Sequence, residues 1–425
     1  MTQEKKHSGT GQDCPKGYKS CDGYRIPKEW HIVRFDSLFS RVTRKNDENN
    51  QNVLTISAQQ GLISQIEYYN TLYASENKTG YTLLHRGDFS YNKSYSSGYA
   101  YGAIKRLDAY EKGIVSPLYL CFTPRQGVNS DFYLQYFEAG CFDREIYKIA
   151  QEGARNHGLL NVSTEDFFHS MLVFPPLEEQ ERITEILTQY DHVIELKEQK
   201  LDELKQLKKE FLRKIFPAKG CDTPEIRFPG FTGAWEQRKL GELGTITTGS
   251  TPSTSIPDYY SDDGIVWVTP TDICENITFE SARKLSDLGQ QVGRVVPKNT
   301  ILVTCIASIG KNTMLGNTGS FNQQINGLTP NENECDPYFL LTESALWSAK
   351  MKSSAAAGTM QIVNRTEFSE LKTWLPSLIE QQAISDFFRQ LDNLITLHQR
   401  ELEETKAYKK TLAKLLLKGI VRVQG

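Results

Sequence analysis

The chain has 425 residues, enough for two to four domains of about 100 to 200 residues each, so a single small module is excluded. Its 11% aromatic and 39% hydrophobic content is typical of a folded soluble protein and excludes extensive low-complexity disorder. The 49 basic and 52 acidic residues give a formal charge of −3, so no overall basic field indicates binding to nucleic acid or to a membrane surface.

The sequence predicts a cytoplasmic protein with reduced cysteines. No run of about 18 apolar residues is present, and the first residues lack the apolar core of a secretory signal. The eight cysteines form no CxxC pair and have no close histidine partner, so the spacing of a zinc site is missing. We therefore expect no metal site.

The N-terminal part of the chain is a polar leader followed by a globular domain. The lysines of the leader, residues 1–24, are interpreted as solvated charge, with phosphate contact by a flexible tail as the alternative. In the first domain, residues 25–175, the runs NVLTIS (52–57) and YLCF (119–122) are rich in β-branched and aromatic residues and predict strands. DFYLQYFEAG (131–140) predicts a helix packed on those strands.

Residues 176–217 form a first long helix, because no Gly or Pro interrupts the chain between Glu178 and Phe216. Nearly forty residues would make a rod of roughly 55 to 60 Å. Apolar residues recur at heptad a and d positions, and these predicted core residues are Leu187, Tyr190, Ile194, Leu201, Leu204, Phe211 and Ile215. Lys197 and Lys208 interrupt this seam, while Val193, Leu196, Leu207 and Leu212 widen it, which predicts more than one neighbour.

A second globular domain and a second long helix follow. The domain, residues 218–375, contains the predicted strands GIVWVT (264–269) and TILVTCI (300–306) and a predicted helix at 337–353. Residues 376–419 form the second long helix, with His398, Thr405 and Lys409 at the weak seam positions. Its predicted core residues are Phe388, Leu391, Ile395, Leu402, Leu412 and Leu416.

The chain contains two copies of one unit of about 200 residues. A shift of 201 residues brings the segment 162–216 onto 363–417 without a gap, with PPLEEQERI (175–183) over PSLIEQQAI (376–384). Upstream the shift is 205, which places WHIVRFDSL (30–38) over WEQRKLGEL (235–243). This period is far longer than that of a solenoid repeat and predicts two duplicated domains of mixed α and β structure.

No catalytic centre is predicted. The best phosphate-loop match, CIASIGKN (305–312), has Cys305 where the motif needs Gly and Asn312 where it needs Ser or Thr. No methyltransferase motif is present, a nuclease pattern can be assembled only from Pro257-Asp258 and a triplet on the second long helix, and the histidines form no HExxH. We therefore expect no catalytic, cofactor-binding or metal-binding residues, which favours a binding protein.

The helix starts PPLEEQERI and PSLIEQQAI, the segment RFPGFTGAWEQRKLGELG (227–244) and the duplication resemble the specificity subunit of type I restriction-modification enzymes, from about residue 25 to 419. The resemblance implies two homologous target recognition domains, each reading one half of a bipartite DNA site. It implies that the long helices form an antiparallel coiled coil with a pseudo-twofold repeat, act as a ruler between half-sites, and dock two methyltransferase subunits. Restriction subunits would complete the complex, and S-adenosylmethionine, ATP and magnesium would belong to the partner subunits.

Polar and aromatic loops supply the candidate DNA-binding residues, because amide, hydroxyl and basic side chains read base edges and phosphates. In the first domain the candidates are Gln59, Gln60, Asn92, Lys93, Tyr95 and Tyr99. In the second they are Thr271, Lys311, Asn312, Gln323 and Gln324. Each residue could instead belong to an ordinary turn or to half-buried packing.

Two alternative functions remain open at this point. The near-neutral charge favours a coiled-coil scaffold whose globular domains bind something other than DNA. A self-sufficient modification enzyme would require a catalytic domain for which the sequence shows no motif.

Overall fold

The computed structural model describes residues 15–57, 60–71, 73, 77–94, 98–150, 160–218, 220–306, 309–356 and 362–423. The chain divides into two compact units. Unit 1 contains Met1–Lys197 together with Glu401–Gly425, and unit 2 contains Glu198–Arg400. Each unit therefore combines one globular segment with one half of each long helix.

Unit 1 mixes short strands with short helices. Its strands are β1 (Tyr18–Cys21), β2 (Tyr24–Pro27), β3 (His31–Arg34), β4 (Phe39–Arg41), β5 (Leu54–Ser57), β6 (Gly61–Ser64), β7 (Thr82–His85), β8 (Phe89–Asn92), β9 (Ala103–Arg106), β10 (Lys112–Val115), β11 (Leu120–Pro124) and β12 (Met171–Phe174). Its helices are α1 (Phe35–Leu38), α2 (Gln65–Tyr69), α3 (Ser130–Glu138), α4 (Asp143–Ile149) and α5 (Thr164–His169), and the first long helix is α6 (Leu177–Ile215).

An antiparallel sheet with the strand order β4-β11-β8-β9 carries the core of unit 1. Phenylalanine rings fill this core: the ring centroid of Phe35 lies 4.8 Å from that of Phe39 and 4.9 Å from that of Phe122, and the centroids of Phe89 and Phe122 lie 5.3 Å apart. All four side chains are buried. Each contributes roughly 1.5 to 3 kcal/mol through removal of apolar surface from water.

The end of the predicted leader is a folded element. β1 and β2 form a hairpin, and the Tyr18 hydroxyl donates a hydrogen bond to the backbone oxygen of Ile420 at 3.0 Å. The ammonium group of Lys19 donates to the backbone oxygen of Lys28 at 2.7 Å. The flexible-tail alternative is therefore wrong for residues 18–24, because this segment forms the hairpin, whereas solvated charge stays a prediction for the lysines; residues 1–14 lie outside the described residues.

Unit 2 contains the second globular segment. Its strands are β13 (Glu236–Lys239), β14 (Gly244–Thr248), β15 (Tyr260–Val268), β16 (Ile277–Thr278), β17 (Lys284–Leu285), β18 (Ile301–Thr304), β19 (Asn312–Leu315), β20 (Gly319–Phe321), β21 (Ile325–Pro330) and β22 (Lys372–Leu375). Its helices are α7 (Asp287–Val292), α8 (Pro337–Ala356) and α9 (Arg365–Ser369), and the second long helix is α10 (Leu378–Leu417).

The sheet of unit 2 repeats that of unit 1. Its order β14-β21-β18-β19 corresponds strand by strand to β4-β11-β8-β9, and β16 is added beside β19. In each unit a strand near the start of the segment pairs with the strand that precedes a long helix: β3 with β12, and β13 with β22. The predicted mixed α and β class with two homologous domains is therefore confirmed.

The long helices run antiparallel within each unit. In unit 1 Lys197 forms an ion pair with Glu401 at 2.8 Å, and Asp191 forms one with Lys409. In unit 2 Lys208 forms an ion pair with Asp392 at 2.5 Å, and the ring centroids of Phe211 and Phe387 lie 4.9 Å apart. Position numbers rise along α6 as those of their partners fall along α10, as an antiparallel pair requires. No helix in the described part of the chain is both long and apolar enough to cross a membrane.

Candidate nucleic-acid interface

Some of the predicted DNA-binding residues lie in one equivalent loop of each unit. In unit 1 this loop joins β8 to β9 and contains Lys93 and Tyr99, with Asn92 at its start. In unit 2 the equivalent loop joins β18 to β19 and ends with Lys311, directly before Asn312. The candidates Gln59 and Tyr95 lie outside the described residues.

In unit 1, Asn92 and Lys93 stabilise the loop itself. The Lys93 ammonium donates a hydrogen bond to the Val162 backbone oxygen at 2.6 Å, and burial lowers the pKa of this lysine. The Asn92 side-chain oxygen accepts a hydrogen bond from the Ser94 amide at 3.0 Å. Because the Lys93 ammonium is directed to the protein interior, it would have to reorient to contact a phosphate.

Tyr99 is held from two sides. Its hydroxyl donates to Glu138 at 3.3 Å and accepts from the Lys105 ammonium at 3.3 Å, and Lys105 forms an ion pair with Glu138 at 2.6 Å. Burial, followed by the Glu138 charge, raises the pKa of Tyr99. Gln60 differs, because it is exposed next to the turn between β5 and β6, and its backbone amide donates a hydrogen bond to the Ser57 hydroxyl at 3.1 Å.

An exposed aromatic cluster in unit 1 is absent from the sequence-based candidates. The ring centroid of Tyr69 lies 4.6 Å from that of Tyr68 and 5.1 Å from that of Tyr73. Their exposed fractions are 45%, 44% and 71%, which is unusual for adjacent large rings. The tyrosine-rich stretch IEYYNTLY (66–73) was the available signal.

Four loops of unit 2 are joined by hydrogen bonds into one surface, which we call the unit 2 loop cluster: residues 249–256, 269–272, 309–311 and 322–324. The Ser250 amide donates to the Phe321 oxygen at 2.9 Å, and the Asn322 amide donates to the Val268 oxygen at 3.0 Å. The Lys311 ammonium donates to the Pro270 oxygen at 3.0 Å. Segments distant in sequence are thereby held in one fixed arrangement.

The unit 2 loop cluster brings three predicted residues together in exposed positions: Thr271, Lys311 and Gln323. Asn312 instead accepts a hydrogen bond from the Ser348 hydroxyl of α8 at 2.6 Å, and the Gln324 side-chain oxygen accepts one from Asn322 at 3.3 Å. The exposed hydroxyl and amide groups can hydrogen-bond to base edges, and the ammonium group can contact phosphate.

Two further residues of this surface were missed from the sequence. The Thr251 hydroxyl donates to the side-chain oxygen of Gln323. The exposed Arg294 donates to the Thr248 backbone oxygen at 2.6 Å, and its amide donates to the Ser250 hydroxyl at 2.9 Å. Both lie in polar segments without a motif, and only the tertiary fold brings them next to the predicted residues.

The structure places every predicted coiled-coil core residue in a buried or half-buried position. The buried ones are Leu187, Leu201, Leu204, Ile215, Phe388, Leu391, Leu402 and Leu416. The half-buried ones are Tyr190, Ile194, Phe211, Ile395 and Leu412. Of the residues that widen the seam, Leu212 is half-buried, whereas Val193, Leu196 and Leu207 are exposed.

Lysines that interrupt the apolar seam form ion pairs between the helices. The pair Asp191–Lys409 in unit 1 and the pair Lys208–Asp392 in unit 2 join equivalent positions of the repeat, because a shift of 201 maps one onto the other. The unit 2 pair is the more enclosed, since the Asp392 side chain is 11% exposed and that of Asp191 is 46% exposed. Among the described residues, no cluster of three or more metal-ligating side chains occurs.

Comparisons with known proteins agree with this architecture. The family model for the type I restriction modification DNA specificity domain matches twice, over residues 27–206 and 233–407. A relative of nearly equal length is the type I restriction enzyme MjaVIII specificity subunit of Methanocaldococcus jannaschii. It is 23% identical over 436 residues, which cover 96% of this chain and 97% of the relative.

Solved structures share the fold. A chain from a type I restriction-modification system, studied for complex assembly and conformational transition, has a TM-score of 0.59 at 17% identity and covers 94% of this chain and 100% of its own length. The type I S subunit of M. genitalium has a TM-score of 0.53 at 14% identity, covering 91% and 96% of the two chains. Since the family model matches both copies over most of the sequence, the chain belongs to the family of type I restriction-modification DNA specificity subunits.

Proposed function

We propose that this DNA sequence-recognition subunit reads a bipartite site, with each unit recognising one half, and that it is itself non-catalytic. The observation that carries the proposal is the equivalent placement of polar loops on the same sheet in both units. The loops differ in sequence while the sheet order is retained. Two domains that carry different loops on the same sheet topology are suited to recognising two different half-sites.

The test is methylated-base mapping of host DNA with and without this protein. A bipartite adenine motif should disappear when the protein is removed. Gln323→Ala should relax one position of one half-site at a cost of roughly 1 to 3 kcal/mol, because the exposed amide can no longer bind a base edge. The matched control is Gln237→Ala, an exposed glutamine on β13. An unchanged motif in the Gln323 variant would remove this residue from the interface.

We further propose that the long helices dock two methyltransferase subunits through apolar positions that their own pairing leaves uncovered. Val193 and Leu196 in unit 1 are 42% and 50% exposed. Their repeat equivalents in unit 2, Leu394 and Leu397, are 40% and 56% exposed. A surface that is present twice at equivalent positions is suited to two copies of one partner.

Docking can be tested by measuring the mass of the complex with the methyltransferase subunit. Replacing Leu394 and Leu397 by serine should remove one bound subunit, and adding the serine changes at Val193 and Leu196 should remove the second. Val292→Ser, which changes another exposed apolar residue of unit 2, is the control. Retention of two subunits after all four changes would place the docking surface elsewhere.

The remaining partners follow from the same proposal. Restriction subunits would join the complex of DNA, specificity subunit and methyltransferase subunits. S-adenosylmethionine, ATP and magnesium would be held by those partner subunits. Methyl transfer by the isolated chain would contradict this assignment. The scaffold alternative is not favoured, because both copies match a DNA specificity domain.

A further inference from the structure

We propose that a basic groove beside the long helices in each unit holds backbone phosphates of the DNA that flanks the bases being read. This inference rests on the proposed function and adds a sequence-independent contact to it. It assigns the coiled-coil halves a direct role in DNA affinity.

In unit 2 the groove has a volume of about 860 Å³ and lies between both long helices and the segment 274–279. Its walls include four cations and two carboxylates: Lys205, Lys208, Arg389 and Arg400, with Glu275 and Asp392. A net positive lining contrasts with the formal charge of −3 for the whole chain. The groove is therefore a local basic site in a nearly neutral protein.

The cations of the groove have different partners. Lys208 is neutralised by Asp392, and the Arg389 guanidinium lies 4.4 Å from the centre of the Tyr338 ring. Within the described chain, neither Lys205 nor Arg400 forms an ion pair, and both are exposed. These two positive charges are available for an anionic ligand.

Unit 1 contains an equivalent groove of about 250 Å³. Its lining includes Lys406, Lys409 and Lys410 together with Glu138 and Asp191. The shift of 201 residues maps Lys205 onto Lys406, Lys208 onto Lys409 and Asp392 onto Asp191. Two of the four cations and one carboxylate therefore recur beside the proposed reading surface of unit 1, where Thr188 and Gln199 stand at the positions of Arg389 and Arg400 and Lys410 adds a further positive charge.

Each groove is continuous with the reading loops of its own unit. In unit 2 the Cys274 thiol, on the groove wall, donates to the Thr271 backbone oxygen at 3.4 Å, and Lys311 is bonded to the adjacent Pro270. In unit 1 Glu138 lines the groove and accepts the Tyr99 hydroxyl hydrogen bond. A DNA strand leaving a reading loop would thus meet the groove next, which favours DNA over an acidic protein segment as the occupant.

The test measures how salt affects DNA binding by the complex of the full-length protein and its methyltransferase partner. The wild type is compared with variants of the groove. Lys205→Gln combined with Arg400→Gln should reduce the slope of log affinity against log salt by about 1.8, which is 0.9 for each lost phosphate contact. When salt is raised from 50 to 200 mM, the double variant should therefore lose about 12-fold less affinity for DNA than the wild type loses. The base preference at both half-sites should stay unchanged.

Lys200→Gln is the matched control, because Lys200 is exposed on the same helix outside the groove lining. In a second measurement, neutral methylphosphonates replace single phosphates beside the read bases. At the contacted phosphate they should weaken binding by the wild-type protein but not by the double variant.

An unchanged salt slope in the double variant, with specific binding retained, would overturn the inference and leave the proposed function intact. Loss of the methyltransferase partner at an unchanged slope would assign the groove to a protein contact and would also overturn it. Absence of specific DNA binding by the wild-type complex would instead contradict the proposed function itself.

Discussion

The carboxyl group of Glu343 in α8 should make the stability of unit 2 depend on pH. Its side chain is 3% exposed, and burial raises its pKa from 4.5 to about 7. One oxygen accepts a hydrogen bond from the Trp374 amide at 3.2 Å, and the other has no partner among the described residues. The charged form is therefore poorly solvated in the folded state.

The direction of this pH dependence follows from the number of protons bound by the folded and the unfolded state. Between pH 4.5 and about 7 the folded unit holds a proton at Glu343 that the unfolded chain has released, so the free energy of unfolding falls as pH rises through this window. At 1.36 kcal/mol per pKa unit, the whole window corresponds to about 3 kcal/mol. Glu343→Gln stays neutral and keeps an acceptor for Trp374. It should therefore be more stable than wild type at pH 8 and about equal to it near pH 4.5.

Urea unfolding followed by tryptophan fluorescence measures this effect, because four of the five tryptophans lie in unit 2: Trp235, Trp267, Trp347 and Trp374. Subtracting the free energy of unfolding of the wild type from that of the variant at each pH removes the contribution of the other titrating groups, which both proteins share. A difference that is the same at pH 5 and pH 8 would refute the reasoning, because it would show that Glu343 does not titrate in this window.

Three further predictions concern other contacts. Lys208→Met should lower the free energy of unfolding more than Lys409→Met, because Asp392 is more enclosed than Asp191; double-mutant cycles with the Asp→Asn changes measure both couplings. Glu145→Gln should destabilise unit 1 above pH 5 and have less effect in acid. The reason is that Lys148, Tyr24 and the Met171 amide hold the pKa of Glu145 below its ordinary value despite burial. Urea titrations of variant and wild type above pH 5 and in acid test this. Gly102→Ala should destabilise unit 1, because φ is +78° and a Cβ would lie 2.3 Å from the Asn92 oxygen, and thermal melting should show a Tm lowered by several degrees.

The duplication and the long helices could be predicted from the sequence because they depend on local signals. An uninterrupted helical spacing of apolar residues predicts both the helix and its buried face, and this spacing can be read directly from the local sequence. The predicted strands at 52–57, 119–122, 264–269 and 300–306 overlap β5, β11, β15 and β18 for the same reason. The end of the leader was misread although its hairpin has a local signal: Asp22-Gly23 forms the two-residue turn between β1 and β2, with φ of +49° and +76°.

The site could be predicted only in part. Composition identifies polar loops, but the direction of a side chain depends on which acceptor the fold brings near it. Lys93 is directed inward because the Val162 oxygen lies within hydrogen-bond distance, whereas Lys311, in the equivalent loop of unit 2, is exposed. The grooves were missed because their walls combine residues of both long helices with residues of the globular segment, and only the tertiary fold brings these positions together.

The two cores fill one sheet topology with different side chains. Strand register places Phe39, Phe89 and Phe122 of unit 1 where unit 2 has Gly244, Ile301 and Leu328. A Cβ at Gly244 would lie 2.1 Å from the Thr329 oxygen, so no larger residue fits there without movement of the backbone. Exchange of single core residues between the copies would leave cavities in the core of unit 1 and cause steric clashes in the core of unit 2. New specificities should therefore arise in evolution by inheritance of a whole globular segment, or by change in its surface loops, rather than by gradual conversion of one core into the other.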